Sequence, residues 1–155
     1  MRAATLPTYR PSNPVADAIR GGLILAATVF TNAGAAIIIN RIRQLATAPK
    51  NIGWGTGTTA AAVGDTALQT EVAPTTAGGR TVGTESTTTV SVTGDNYAVV
   101  GTVTATLAGP TAITEAGLFD NVTAGALLIH AVFAAVNTLV GDSIQFTFGL
   151  KQVPN

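Results

Sequence analysis

The residues Ser143-Ile-Gln-Phe-Thr-Phe-Gly-Leu-Lys151 read as one β-strand, and the fold is read outward from them. Ile144, Phe146, Phe148 and Leu150 alternate with Gln145, Thr147, Gly149 and Lys151. Strand side chains point to opposite faces with a period of two, so one face is apolar and packs into a core while the other meets solvent or a partner. Gly141-Asp142 turns the chain into this strand, and Ala126 to Val136 is an apolar strand before it. The turn Asp120 to Gly125 joins that strand to another over Ala112 to Phe119, which Gly109-Pro110 separates from what precedes. Tyr97 to Leu107 alternates again, with Tyr97, Val99, Val103, Ala105 and Leu107 on one face. Gly94-Asp95-Asn96 connects it to a long Thr/Val strand over Thr81 to Thr93, which predicts a hairpin. Shorter apolar segments lie at Ala67 to Val72 and at Asn51-Ile-Gly-Trp-Gly, the latter running into a Gly/Thr loop. Six or seven strands joined by short Gly-containing turns predict a mainly β fold, an antiparallel β-sandwich or jelly-roll-like body.

The first fifty residues read differently. Residues 21–30 (GGLILAATVF) predict a buried strand. Asn32 is a good N-cap for one α-helix over residues 33–47, with Ala35, Ile38, Ile42 and Leu45 on the apolar face and Arg41, Arg43 and Gln44 turned away. Pro49 ends that element. The apolar run from Gly21 to Ile39 has the length of a membrane span, but Thr28, Thr31, Asn32 and three glycines interrupt it. A strand followed by a helix accounts for it better. Residues 1–20 read as an extended N-terminal arm, because Pro7, Pro11 and Pro14 lack backbone donors and bias their predecessors away from helix. The chain thus divides into an arm, 1–20, and a single β-rich domain, 21–155. Its start lacks the early apolar run of a secretory signal.

Composition narrows the chemistry. The 155 residues contain no Cys, one His and one Trp, against 27 Ala and 26 Thr. Without Cys there is no disulfide framework or thiolate metal site, and a single His excludes a two-His zinc site. Lys and Arg total 8 and balance 8 Asp and Glu, so only 10% of residues are charged. That balance argues against a nucleic-acid binder. A surface built from Thr, Ala and Gly suits a subunit whose neighbours cover much of its exterior. Charge is also segregated: residues 1–50 carry a balance of +5 and residues 51–155 one of −5. The basic residues are spaced singly, which favours docking on an acidic protein surface over nucleic acid or a membrane.

No catalytic constellation is visible in the linear sequence. His130, inside a strand, shows no local nucleophile or carboxylate and reads as a structural, partly buried, hydrogen-bonded side chain. The carboxylates look isolated, with no paired acidic motif for a metal or for glycosidase work. Gly53-Trp-Gly-Thr-Gly57 lacks the Lys of a phosphate loop, and Trp54 reads as a packed anchor where backbones approach closely. Glu115 reads equally as a buried partner for a backbone amide or basic group and as a solvated strand carboxylate. Neither a cofactor nor a metal is expected, and the chain is not expected to be an enzyme. A carbohydrate-binding module is disfavoured because aromatic residues make up only 5%.

Several strings form an ordered set: Pro49-Lys-Asn-Ile-Gly-Trp-Gly-Thr-Gly-Thr-Thr-Ala, Asp65-Thr-Ala-Leu-Gln-Thr-Glu71, Ile113-Thr-Glu-Ala-Gly-Leu-Phe-Asp120, Gly125-Ala-Leu-Leu and Gly141-Asp-Ser-Ile-Gln-Phe. Over roughly residues 30–151 this set resembles small structural proteins of tailed bacteriophages: capsid decoration (cement) proteins, or tail and fibre components. The resemblance implies a virion protein on the capsid surface, bound to the major capsid protein and to itself as a homo-oligomer, with a trimer expected. The alternative is a tail, baseplate or fibre-attachment component. The arm lies outside the shared pattern. Arg2, Leu6, Tyr9, Arg10 and Arg20 are the expected protein-interface residues, reading as contacts to an acidic neighbour. Neither nucleic acid nor a membrane is expected as a partner.

Overall fold

The computed structural model describes residues 25–42, 47–72, 79–91 and 93–152. In chain order the elements are β1 (Leu25–Phe30), α1 (Asn32–Ile42), β2 (Asn51–Gly55), β3 (Glu71–Val72), β4 (Thr81–Val82), β5 (Thr84–Thr88), β6 (Asn96–Thr104), β7 (Thr111–Phe119), β8 (Leu127–Thr138) and β9 (Ser143–Lys151). They form two antiparallel sheets. The larger runs β1-β8-β7-β2-β3 with β4 also on β2, and the smaller runs β5-β6-β9. The fold is mainly β, a sandwich with one short helix.

The alternating strand that anchors the sequence reading is one wall of the core. β9 pairs with β6 in unbroken register from Asn96↔Lys151 to Thr104↔Ser143. This sets Val99 opposite Phe148 and Val103 opposite Ile144, so like faces coincide and both turn inward. Phe146 is the hub. Its ring meets Trp54 of the larger sheet edge-on at 6.4 Å, and it lies 6.2 Å from Phe133 and 6.3 Å from Phe148. Edge-on and offset rings favour each other beyond the area they bury. Trp54, Ile52, Ile113, Leu118 and Leu128 complete the seam between the sheets. Trp54 Nε1 is buried there with no hydrogen-bond partner among the described residues.

Several expectations need correction. The long strand predicted over Thr81–Thr93 is two pieces, Thr81–Val82 and Thr84–Thr88, which belong to different sheets. The chain crosses between sheets at Gly83, whose N–H donates to Lys50 O at 2.7 Å. A Cβ at Gly83 would meet Val99 Cγ1 at 2.6 Å, so this corner accepts no side chain. The strand expected at 21–30 as buried is described from Leu25. It forms an edge of the larger sheet, with Thr28 and Phe30 exposed.

The helix starts one residue earlier than predicted, because Thr31 caps it and Asn32 does not. Gly34 N–H donates to Thr31 Oγ1 at 2.9 Å, and the Thr31 hydroxyl donates to Leu127 O. One buried threonine thus satisfies a free helix donor and ties the helix to β8. Ile37, absent from the predicted apolar face, is buried on α1, with Ile38 packed beside it. The helix is described to Ile42, and Thr47, its predicted end, is not helical; residues 43–46 lie outside the described residues, as does the 1–20 arm. No helix among the described residues is long and apolar enough to cross a membrane.

Phe146→Ala removes a ring that touches both sheets, leaving a cavity the surrounding aromatics cannot fill. Urea denaturation is expected to show a loss of about 3–5 kcal/mol with the protein still folded in the absence of urea.

Candidate functional site

The larger sheet is buried on its outer face as well as its inner one. On β2, Ile52 and Trp54 point into the seam, so Gly53 and Gly55 occupy the outer face, with Gly57 continuing the period. The segment 56–72 folds back over these bare positions. A Cβ at Gly57 would lie 2.6 Å from Glu115 Oε1, and one at Gly55 would collide with both Glu115 Oε1 and Thr70 O. The glycines therefore make room for a carboxylate lying on the backbone.

Glu115 sits where the β7–β8 register slips between Ile113 and Glu115, an irregularity of the kind that re-aims side chains. Its side chain is fully buried. Oε1 accepts the N–H groups of Gly57 at 3.0 Å and Thr70 at 2.8 Å, and Oε2 accepts the N–H of Gln69 at 3.0 Å. His130 on β8, also fully buried, places Nε2 3.0 Å from Glu115 Oε2. Its Nδ1 lies 2.7 Å from Asp65 Oδ2, which also accepts the Ala62 N–H at 2.7 Å. The Thr114 hydroxyl donates to Gly57 O at 2.8 Å.

A buried carboxylate costs several kcal/mol of hydration unless its lone pairs are filled. Three amides and an imidazole fill them here. An imidazolium can donate from both nitrogens, one to each carboxylate, whereas a neutral ring donates from only one. The cluster binds the loop to the sheet. Both ring nitrogens and both Glu115 oxygens are engaged within the fold. Among the described residues no group of His, Asp and Glu is arranged to hold a metal ion.

The expectation of isolated carboxylates is therefore overturned: Asp65 and Glu115 meet at His130 across 65 and 15 residues of sequence. Of the two readings left open for Glu115, the buried partner of amides and a basic group is the observed one. His130 is hydrogen-bonded, as read, but fully buried rather than partly. Trp54 is the packed anchor expected, at 1% exposure.

A second clamp lies beside the first, over Gly53. Arg80 forms a two-point pair with Glu71, Nε to Oε1 at 2.7 Å and Nη2 to Oε2 at 3.0 Å, and Nη1 donates to Asn121 O at 3.1 Å. The guanidinium lies 3.3 Å above the Phe119 ring, where the ring's negative face attracts it. Leu68, Phe119 and Leu127 make a small apolar cluster under the same cover.

A groove of about 390 Å³ opens elsewhere, between α1 and the smaller sheet. Ile37, Ile38, Leu128 and Leu150 give it an apolar floor, and Arg41, Glu85 and Asp95 line its rim. The Tyr97 hydroxyl lies 3.0 Å from both Pro49 O and Glu85 Oε2. Burial, and then the neighbouring Glu85 carboxylate, push the phenol well above its ordinary pKa of 10.0. Lys50 also pairs with Glu85, at 3.4 Å. One of the N-terminal basic residues thus meets an acid of its own domain. The expected interface residues Arg2, Leu6, Tyr9, Arg10 and Arg20 lie outside the described residues.

Comparison with protein-family models, with curated proteins and with solved structures found no match.

Three outcomes test this site. Glu115→Ala strips His130 and three amides of their acceptor, and is expected to cost about 3–5 kcal/mol by chemical denaturation. The Asp65 carboxyl is held below its ordinary 3.8, first by the Ala62 N–H and then by His130, against burial. Its stabilising contribution is therefore present above about pH 4 and lost as pH falls below that. Thermal melts should decline through this acid range, and Asp65→Asn should flatten the decline. Tyr97 shifts the other way: its contribution is complete below pH 10 and fades as pH climbs higher, so Tyr97→Phe should level the alkaline limb.

Proposed function

We propose that this chain is a structural subunit of a tailed-phage virion, a capsid decoration protein that stabilises the assembled shell by bridging its neighbours. The observation that carries this reading is the outer face of the smaller sheet. Because Val99, Val103, Phe146 and Phe148 are buried, the alternate residues turn outward. Thr84, Ser86, Thr102, Thr104, Gln145 and Thr147 are all exposed there. Hydroxyl and amide groups without charge can exchange water for a protein partner at small desolvation cost, whereas Lys or Glu cannot. Meanwhile polar groups of the larger sheet are paired within the chain, Glu115 with His130 in the interior and Arg80 with Glu71 nearer the surface. Ordered resemblance to phage structural proteins over roughly residues 30–151 adds to the same reading.

The mechanism is linkage. A protein that binds the assembled lattice and not its dissociated subunits shifts the equilibrium toward assembly. Residues 1–20 supply the second contact, with Arg2, Arg10 and Arg20 toward the acidic surface of the major capsid protein and Leu6 and Tyr9 beside them. Ordering an arm costs about 1–2 kcal/mol per residue of backbone entropy, so the arm gains only when docked. The chain acts without turnover, as a homo-oligomer on the capsid exterior.

Deleting residues 1–20 is expected to leave the melting temperature within about 2 °C of the full chain while co-sedimentation with capsid shells falls at least tenfold. Undiminished binding would remove the arm's role. Immunogold label on the tail of intact particles, and not on the head, would move the assignment to the tail or baseplate.

A further inference from the structure

β9 is an edge strand of the smaller sheet, with β6 on one side of it. Two backbone bonds bracket its pairing with β6: Ala105 N–H to Asp142 O at 2.8 Å, and Gln152 N–H to Asp95 O at 2.8 Å. Antiparallel partners exchange bonds at every second residue. The even-numbered residues of β9 therefore bond to β6, and the odd ones, Ser143, Gln145, Thr147, Gly149 and Lys151, direct N–H and C=O groups to the open side. No backbone bond to these groups is formed among the described residues.

Edges of this kind are normally blunted by proline, a bulge or inward charge. β9 has none of these: its register is unbroken over all nine residues, and Lys151 at its end is its one charge. An edge strand of the larger sheet differs, for β1 is six residues long and its register shifts between Leu25 and Ala27.

We infer that two copies of this chain pair β9 to β9, antiparallel, about a two-fold axis at Thr147. In that register Thr147 faces its own copy, Gln145 faces Gly149, and Ser143 faces Lys151. Every outward group of the five odd residues then finds a partner, because the set maps onto itself. Threonine opposite threonine is a favourable cross-strand pair. Lys151 of each copy faces the uncharged Ser143 of the other, so no like charges meet. The two three-stranded sheets become one of six strands. The chain's own residues 1–20 are the weaker occupant, because Pro7, Pro11 and Pro14 remove donors that an added strand requires. This pairing is a property of the chain alone and stands or falls independently of the capsid reading.

The full-length chain is examined by sedimentation equilibrium between about 1 and 200 μM, beside Thr147→Lys and Thr147→Glu. Position 147 is solvent-exposed in one copy, so both variants keep the fold, checked by circular dichroism. Wild type is expected to reach the mass of two chains. Each variant sets like charges face to face and should weaken pairing at least tenfold, and an equimolar mixture of the two should restore it. Hydrogen exchange should show Gln145, Thr147 and Gly149 amides protected at high concentration and exposed at low. A wild type that stays monomeric, or a trimer indifferent to both substitutions, overturns the proposal. So does a chain that dimerises only once residues 1–20 are deleted, since the arm would then be the occupant.

Discussion

The Glu115 carboxylate is the constraint around which the larger sheet is organised. It lies in a place from which water is excluded, and it is held there by Gly57, Gln69, Thr70 and His130. A buried anion tolerates no partial solution: its partners must all be present or the site is worse than an apolar one. That requirement explains features that look unrelated in the chain. It accounts for glycine at positions 55 and 57, for a loop of some fifteen residues that lies flat on a sheet, and for a lone histidine in an otherwise apolar strand. With Arg80 over Phe119 it gives the sheet a second, small core on the side away from the sandwich seam. Electrostatics bind the cover, and apolar packing binds the sheets.

Elements with strong periodicity were legible in the sequence. β6 and β9 stand close to where alternation places them, because each has one inward face, and β7 and β8 close to where their apolar runs and bounding turns place them. The Gly/Thr string around Trp54 was likewise readable as a close backbone approach. What could not be read was the partner. Nothing near His130 in sequence announces Asp65 or Glu115, since the contact depends on β7 lying beside β8 and on a loop returning over both. A signal did exist in hindsight: Gly53, Gly55 and Gly57 at a spacing of two leave one strand face bare, and a bare face must be covered. The Thr81–Thr93 segment failed for a different reason. Its Thr/Val composition favours strand throughout, and only the steric limit at Gly83 divides it between two sheets. The helix cap was missed by one residue because Asn32 and Thr31 are both good caps, and contact with Leu127 decides between them.

The functional reading rests on an economy of charge. The ionic groups of the larger sheet are spent on its own stability, and the face of the smaller sheet is left smooth and hydroxylated. Such a division suits a subunit that fits among neighbours and carries out no chemistry on them. The proposed pairing at the β9 edge belongs to the same pattern, since it assigns recognition to backbone groups in place of charged side chains.

The single tryptophan adds a practical consequence. Trp54 lies at 1% exposure between the two sheets, with no partner for its indole N–H among the described residues. Its emission arises from the one boundary whose opening separates the halves of the molecule, in surroundings that keep it blue. The protein thus carries its own optical gauge, which reddens when the sheets part and stays silent to events on the outer surface.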